Sequence, residues 1–105
     1  MLNKFQHGTP FAVTATHGTD AVATQTGVAG KTHTLTSVSV SSDKAGSILL
    51  IKDGTTTIWQ AQVGATFYNA TFPSGLSATP GNLISAEIDG TSACKANIAG
   101  ITTGV

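Results

Sequence analysis

The chain has 105 residues, enough apolar surface for one core and too little for two. Only 10% of its residues are charged, against roughly 25% in typical soluble domains. Five acidic groups balance five lysines and there is no arginine, so the chain lacks both the field and the bidentate donors for nucleic acid, and the charge for an anionic membrane.

Cys94 is the single cysteine, which excludes an intrachain disulfide and fits folding in a reducing compartment. Residues Met1 to His7 carry one lysine and no apolar stretch behind it, so neither a signal peptide nor a transmembrane segment is expected. The Asn69-Ala70-Thr71 sequon is accordingly expected to go unused.

Threonine is the commonest residue, and with valine, isoleucine and phenylalanine it favours pleated, half-buried surface. No window carries apolar residues at helical spacing for three turns, so an all-β domain without helix is predicted. Residues 1–30, rich in Thr, Ala and Gly, read as an N-terminal arm with one or two short strands. The scattered Leu2, Phe5, Phe11, Val13, Val22 and Val28 must bury themselves in the domain's own core or in a neighbouring subunit.

Residues 31–105 read as the sandwich proper. Thr32 to Ser42 is a strand whose apolar parity changes between Leu35 and Val38, which places a β-bulge near Ser37. After a turn at Asp43-Lys44-Ala45-Gly46, the run Ser47 to Lys52 is apolar on both faces, as in a central strand covered on each side, with Leu50 in the core. Asp53-Gly54 supplies the residue pair of a type I′ turn, and Thr55 to Val63 returns as its partner.

Phe67 to Phe72 alternates again, is stopped by Pro73-Ser74-Gly75, and leads to a loop through Thr79-Pro80-Gly81-Asn82. Leu83 to Ile88 and Ala93 to Ile101 form a second hairpin around Asp89-Gly90. Seven or eight short strands with turn signals about every ten residues predict an antiparallel two-sheet sandwich, jelly-roll-like.

Few residues suggest chemistry. Gly27-Val28-Ala29-Gly30-Lys31-Thr32 ends like a phosphate loop, but Gln25 stands where its first glycine should be, and Lys31 opens a strand rather than a helix. His7, His17 and His33 lack metal-site spacing and acidic neighbours, and read as solvated or interface histidines.

No Gly-x-Ser-x-Gly elbow exists, and Cys94 between Ala93 and Lys95 reads as a small buried residue. Asp53 and Asp89 are used by turns, leaving Asp20, Asp43 and Glu87 as poor material for a paired-carboxylate site. No enzyme, metal or cofactor is implied. Trp59 shares parity with Thr57, Ala61 and Val63, so it and Phe72 are assigned to the core, with a sugar-stacking surface as the alternative for Trp59.

Gly30-Lys31-Thr32-His33, the run from Leu49 through Lys52-Asp53-Gly54-Thr55 to Trp59, Phe72-Pro73-Ser74-Gly75-Leu76 and Pro80-Gly81-Asn82 together resemble small virion proteins of tailed bacteriophages, over roughly residues 30–100. The resemblance implies a head decoration or cement protein, or a related appendage, with a jelly-roll-like sandwich that often forms trimers. On that basis the expected role is a homotrimer on the capsid surface, bridging major capsid subunits, with Leu2, Phe5, Phe11 and Val13 at the capsid or subunit interface. The alternative is a tail or fibre piece or a carbohydrate-binding module.

Overall fold

Strand-forming residues dominate the chain, and in the computed structural model, which describes residues 8–17, 19–63 and 66–104, they form eight strands: β1 Thr9–His17, β2 Asp20–Gln25, β3 Lys31–Ser42, β4 Ile48–Asp53, β5 Thr56–Gln62, β6 Phe67–Ser77, β7 Ile84–Asp89 and β8 Cys94–Gly104. No helix occurs among the described residues.

Two four-stranded antiparallel sheets stack face to face, the first in the order β1-β8-β3-β6 and the second β2-β7-β4-β5. The pairs β1·β8, β2·β7, β3·β6 and β4·β5 nest within one another. The chain therefore doubles back once at the β4–β5 turn, and the resulting long hairpin rolls up into an eight-stranded jelly roll.

Period-two alternation turns one side of each strand inward. Leu35, Val40, Leu49, Ile51, Ile84 and Ile88 are fully buried, and the alanines Ala21, Ala23, Ala86 and Ala96 let the layers approach closely. The parity change in β3 is a bulge. Leu35 pairs with Leu76 and Ser37 with Thr71, so Thr36 is extra on β3, opposite the four extra residues 72–75 on β6. The same irregularity at Leu35/Ser37 appears against β8.

Several expectations need correction. Residues 9–25 form strands of the sandwich itself, β1 at the edge of one sheet and β2 at the edge of the other, so residue 30 is not a structural boundary. Their large apolar groups are few because β8 and β7 supply the rest of the core there. Phe11 and Val13 pack against that core, and Leu2 and Phe5 lie outside the described residues.

Within β4, Leu49 and Ile51 are 0% exposed, but Leu50 is only half-buried and Ile48 is 47% exposed. β4 is interior to its sheet, yet the sandwich has two layers only, and nothing among the described residues covers the outer face. Trp59 and Phe72 are likewise half-buried, packed against the margin of the core.

The β4–β5 hairpin is present with its turn shifted by one residue. Asp53 pairs with Thr56, which leaves Gly54-Thr55 as the loop. Gly54 has φ 62°, while no described non-glycine residue has positive φ, so the loop is the kind with glycine at its first central position, not type I′. Asp89-Gly90 turns no hairpin at all, because β7 pairs with β2 and β4 while β8 pairs with β1 and β3. The segment after Asp89 crosses between sheets. β6 also runs through Pro73, which an edge strand tolerates because the missing N–H can face away from the ladder.

Candidate binding face

The outward side chains of the first sheet line up in rows set by strand register. Thr14 pairs with Asn97, Asn97 with Ser39, and Ser39 with Asn69, giving one row across all four strands. On either side lie Ala12, Ala99, Ser37 and Thr71, then Thr16, Lys95, Ser41 and Phe67. Lys95 is the one charged residue in these three rows. The Thr14 hydroxyl donates to Asn97 Oδ1 (2.7 Å), and Asn97 Nδ2 reaches the Ser39 carbonyl at 3.5 Å.

Shallow depressions follow this face from end to end. A 390 Å³ hollow over the central row shares Thr71 and Ala99 with an apolar cleft of 500 Å³ at one end. A hollow of 610 Å³ at the other end is bordered by Thr16, Ser41 and Lys95. The apolar cleft lies beside the irregular pairing of β3 and β6, and its lining includes Gly100, whose inward side has no room for a side chain. A Cβ at Gly100 would run into the Thr34 carbonyl and the Phe11 ring.

The outer face of the second sheet differs. Lys52 and Glu87 form an ion pair at 2.5 Å there, beside Leu50 and the exposed Val22 and Ile48.

The aspartates are structural clasps. The carboxylate of Asp43 accepts from the Ser92 hydroxyl (2.7 Å) and from the backbone N–H groups of Thr91, Ser92 and Ala93, which tie down the crossing segment. These bonds, the Ser92 hydroxyl foremost, pull its pKa to about 2. Asp53 accepts from the Thr79 hydroxyl (2.7 Å) and N–H and from Asn82 Nδ2, which lowers its pKa and fastens the β4–β5 turn to the loop before β7. Asp89 is lowered by its bond to Lys44 at 2.6 Å.

His33 departs from expectation: it is fully buried, neither solvated nor at an interface. Nε2 lies 2.8 Å from the Thr26 carbonyl and so donates to it, Nδ1 lies 2.7 Å from Thr102 Oγ1, and the ring meets Phe11 edge-on at 5.6 Å. His7 lies outside the described residues, as does the side chain of His17. Among the described residues no three of His, Cys, Asp and Glu come together as metal ligands. Cys94 is buried, and Lys31 begins a strand after a turn closed by its N–H on the Val28 carbonyl (3.0 Å).

Trp59 meets Phe72 edge-on, ring centroids 5.2 Å apart, and lies tilted beside Tyr68 at 6.4 Å, where β5 and β6 close one side of the sandwich. Phe67, at the start of β6, is 66% exposed. Sequence reasoning passed over the Thr14-Asn97-Ser39-Asn69 row. Part of the signal was present, since Ser37, Ser39 and Ser41 share one parity, but joining four distant strands into one row needs the pairing itself.

No protein-family profile and no curated protein matches the chain. Among solved structures, it is similar to the C-terminal CBM6 of LamC, a marine laminarinase from Zobellia galactanivorans, at 10% identity over 90% of this chain and 100% of that one, with a TM-score of 0.50. A CBM36-1 domain of a xylanase from the hindgut metagenome of Trinervitermes trinervoides aligns at 14% identity over 92% and 98%, with a TM-score of 0.45. A virus-like particle of the extra small virus of the prawn Macrobrachium rosenbergii aligns at 8% over 93% and 80%, with a TM-score of 0.40. The likeness to the first establishes a shared β-sandwich fold.

Proposed function

We propose that this protein is a non-catalytic structural component of a bacteriophage virion, which packs as a homotrimer onto the capsid surface and bridges major capsid subunits. The observation that carries this reading is the outer face of the first sheet, where Ser, Thr, Ala and Asn, with Phe67 at one end, form three rows in which Lys95 is the single charge. Covering such a face strips water from hydroxyls and amides that a partner can satisfy, and it leaves few ions to desolvate. The jelly-roll topology, common in viral shells, and the three aspartates engaged in turns are consistent with a packing role. Leu2 and Phe5 add apolar anchors, each repeated around the trimer so that modest contacts gain avidity.

The test is co-sedimentation with purified phage heads. The wild-type chain pellets with heads, and deletion of residues 1–7 weakens pelleting while circular dichroism stays unchanged. A chain that never pellets with heads refutes the reading.

The second reading is a carbohydrate-binding module, favoured by the fold shared with a CBM6 domain and by the hydroxyl and amide row on the same face. Against it, Trp59 and Tyr68 pack inward beside Phe72 instead of forming an exposed platform. Glycan titration followed by tryptophan fluorescence separates the two: a capsid component gives no saturable change.

A further inference from the structure

A glycine after an aspartate makes a reactive pair, because no Cβ shields the backbone nitrogen from the neighbouring carboxyl carbon. In the reaction the glycine nitrogen gives up its proton and bonds to Cγ, the neutral carboxyl gives up its hydroxyl, and one water leaves behind a five-membered succinimide. Water then opens the ring at Cγ to restore aspartate, or at the α-carbonyl to give isoaspartate, in which the side-chain methylene has joined the main chain. Two such pairs occur, Asp53-Gly54 and Asp89-Gly90.

At Asp53-Gly54 one short segment holds both reacting groups. The Gly54 N–H donates to the Leu83 carbonyl (3.0 Å). The Asp53 carboxylate accepts from the Thr79 hydroxyl (2.7 Å), the Thr79 N–H (3.0 Å) and Asn82 Nδ2 (2.9 Å). These bonds, the Thr79 hydroxyl foremost, favour the ionised carboxylate, which is the form that does not react. Residues 79–83 are fixed in turn: the Asn82 N–H closes a turn on the Thr79 carbonyl (2.9 Å), and the Gly81 N–H donates to the Lys31 carbonyl (2.8 Å). Bringing the nitrogen onto Cγ also requires Asp53 to rotate out of a ladder in which it pairs with both Thr56 and Ile84.

Asp89-Gly90 is held from other directions. The Gly90 N–H donates to the Thr19 carbonyl (2.8 Å), and Lys44 Nζ lies 2.6 Å from the Asp89 carboxylate. None of these partners belongs to residues 79–83, so the second pair is an internal control for the first.

We propose that Asp53-Gly54 is a latent site of isoaspartate formation, kept inert by residues 79–83 and converted when that segment lets go. What the segment protects is the β4–β5 hairpin. Its loop is Gly54-Thr55 alone, and an added main-chain carbon at Asp53 lengthens one arm of a two-residue turn that fixes the register of both strands. The proposal goes beyond the virion role and does not depend on it, since no partner enters.

The experiment is peptide mapping by mass spectrometry, with enzymatic detection of isoaspartate, on the full chain incubated warm at neutral pH, folded and in urea. The unfolded chain converts at both pairs, and the folded chain converts at neither faster than about a tenth of that rate. Thr79→Ala combined with Asn82→Ala raises conversion at Asp53 by about tenfold or more and leaves Asp89 at its wild-type rate. Circular dichroism verifies the fold; where the double variant loses it, Asn82→Ala alone decides, with a smaller rise at Asp53 and none at Asp89. A folded wild-type chain that converts Asp53 at the unfolded rate overturns the proposal. So does an unchanged Asp53 rate in the folded variant, or a rise at Asp89 that matches the rise at Asp53.

Discussion

The outer faces of the two sheets are built on equivalent strand scaffolds, yet they solve opposite problems. The second sheet keeps the Lys52–Glu87 pair in water, with Lys44–Asp89 at one end, and burying it under a partner would cost the hydration of those ions. The first sheet presents hydroxyls, amides and methyl groups, with Lys95 and the exposed Phe67 as the exceptions. Both inner faces are closed by the same rule, alternate residues buried, so the difference lies in the parity that faces outward. One face is suited to solvent and the other to being covered.

The largest effect that sharpens this comparison sits within one strand. Leu49→Ala, on the inner parity of β4, should cost about 2–5 kcal/mol in urea denaturation, because a fully buried side chain leaves both a lost transfer term and a cavity. Leu50→Ala, on the outer parity, should cost about 1 kcal/mol or less. Equal losses would mean that the second sheet's outer face is also covered.

Next in size is a charge placed on the first face. Ser39→Lys should weaken head binding about a hundredfold, since its ammonium is buried without a partner, while leaving the melting temperature within a few degrees of wild type. Glu87→Gln, on the other face, should leave binding unchanged in the same co-sedimentation assay.

How much of this was legible in the sequence follows from range. The bulge near Ser37 could be read from the parity of Leu35 against Val38 and Val40, because parity is local. Leu50 could not be placed: an apolar run looks the same whether its second face meets a third layer or solvent. Asp53-Gly54 and Asp89-Gly90 are the same dipeptide, and only the pairing of β8 with β1 and β3, residues far away in the chain, makes the second a crossing between sheets. The polar row on the first sheet suffers the same limit, since Thr14 and Asn97 meet across 83 residues.

A smaller effect concerns acid. The Asp43 carboxyl is held at about 2 in the folded chain against an ordinary 3.8, so the folded state favours the ionised form. Its stabilising contribution is complete above the ordinary value and disappears as pH falls through the folded one. The Asp53 and Asp89 shifts have the same sign. Melting temperature should therefore fall between about pH 4 and pH 2, and Asp43→Asn should lower stability at neutral pH while flattening that slope. An undiminished slope in the variant would assign acid sensitivity to other carboxylates.

The smallest effect tests the second face on its own terms. Lys52 and Glu87 are each about 30% exposed in their side chains, so water screens the pair and competes for both partners. Replacing both together, Lys52→Gln with Glu87→Gln, should change stability by about 1 kcal/mol or less, and less still in high salt. The single change Lys52→Gln leaves Glu87 unpaired beside Leu50 and Val22 and should cost somewhat more than the double change. If instead the double variant is strongly destabilised, the pair holds the second sheet together, and the contrast between a self-contained solvent face and a face made for a partner no longer stands.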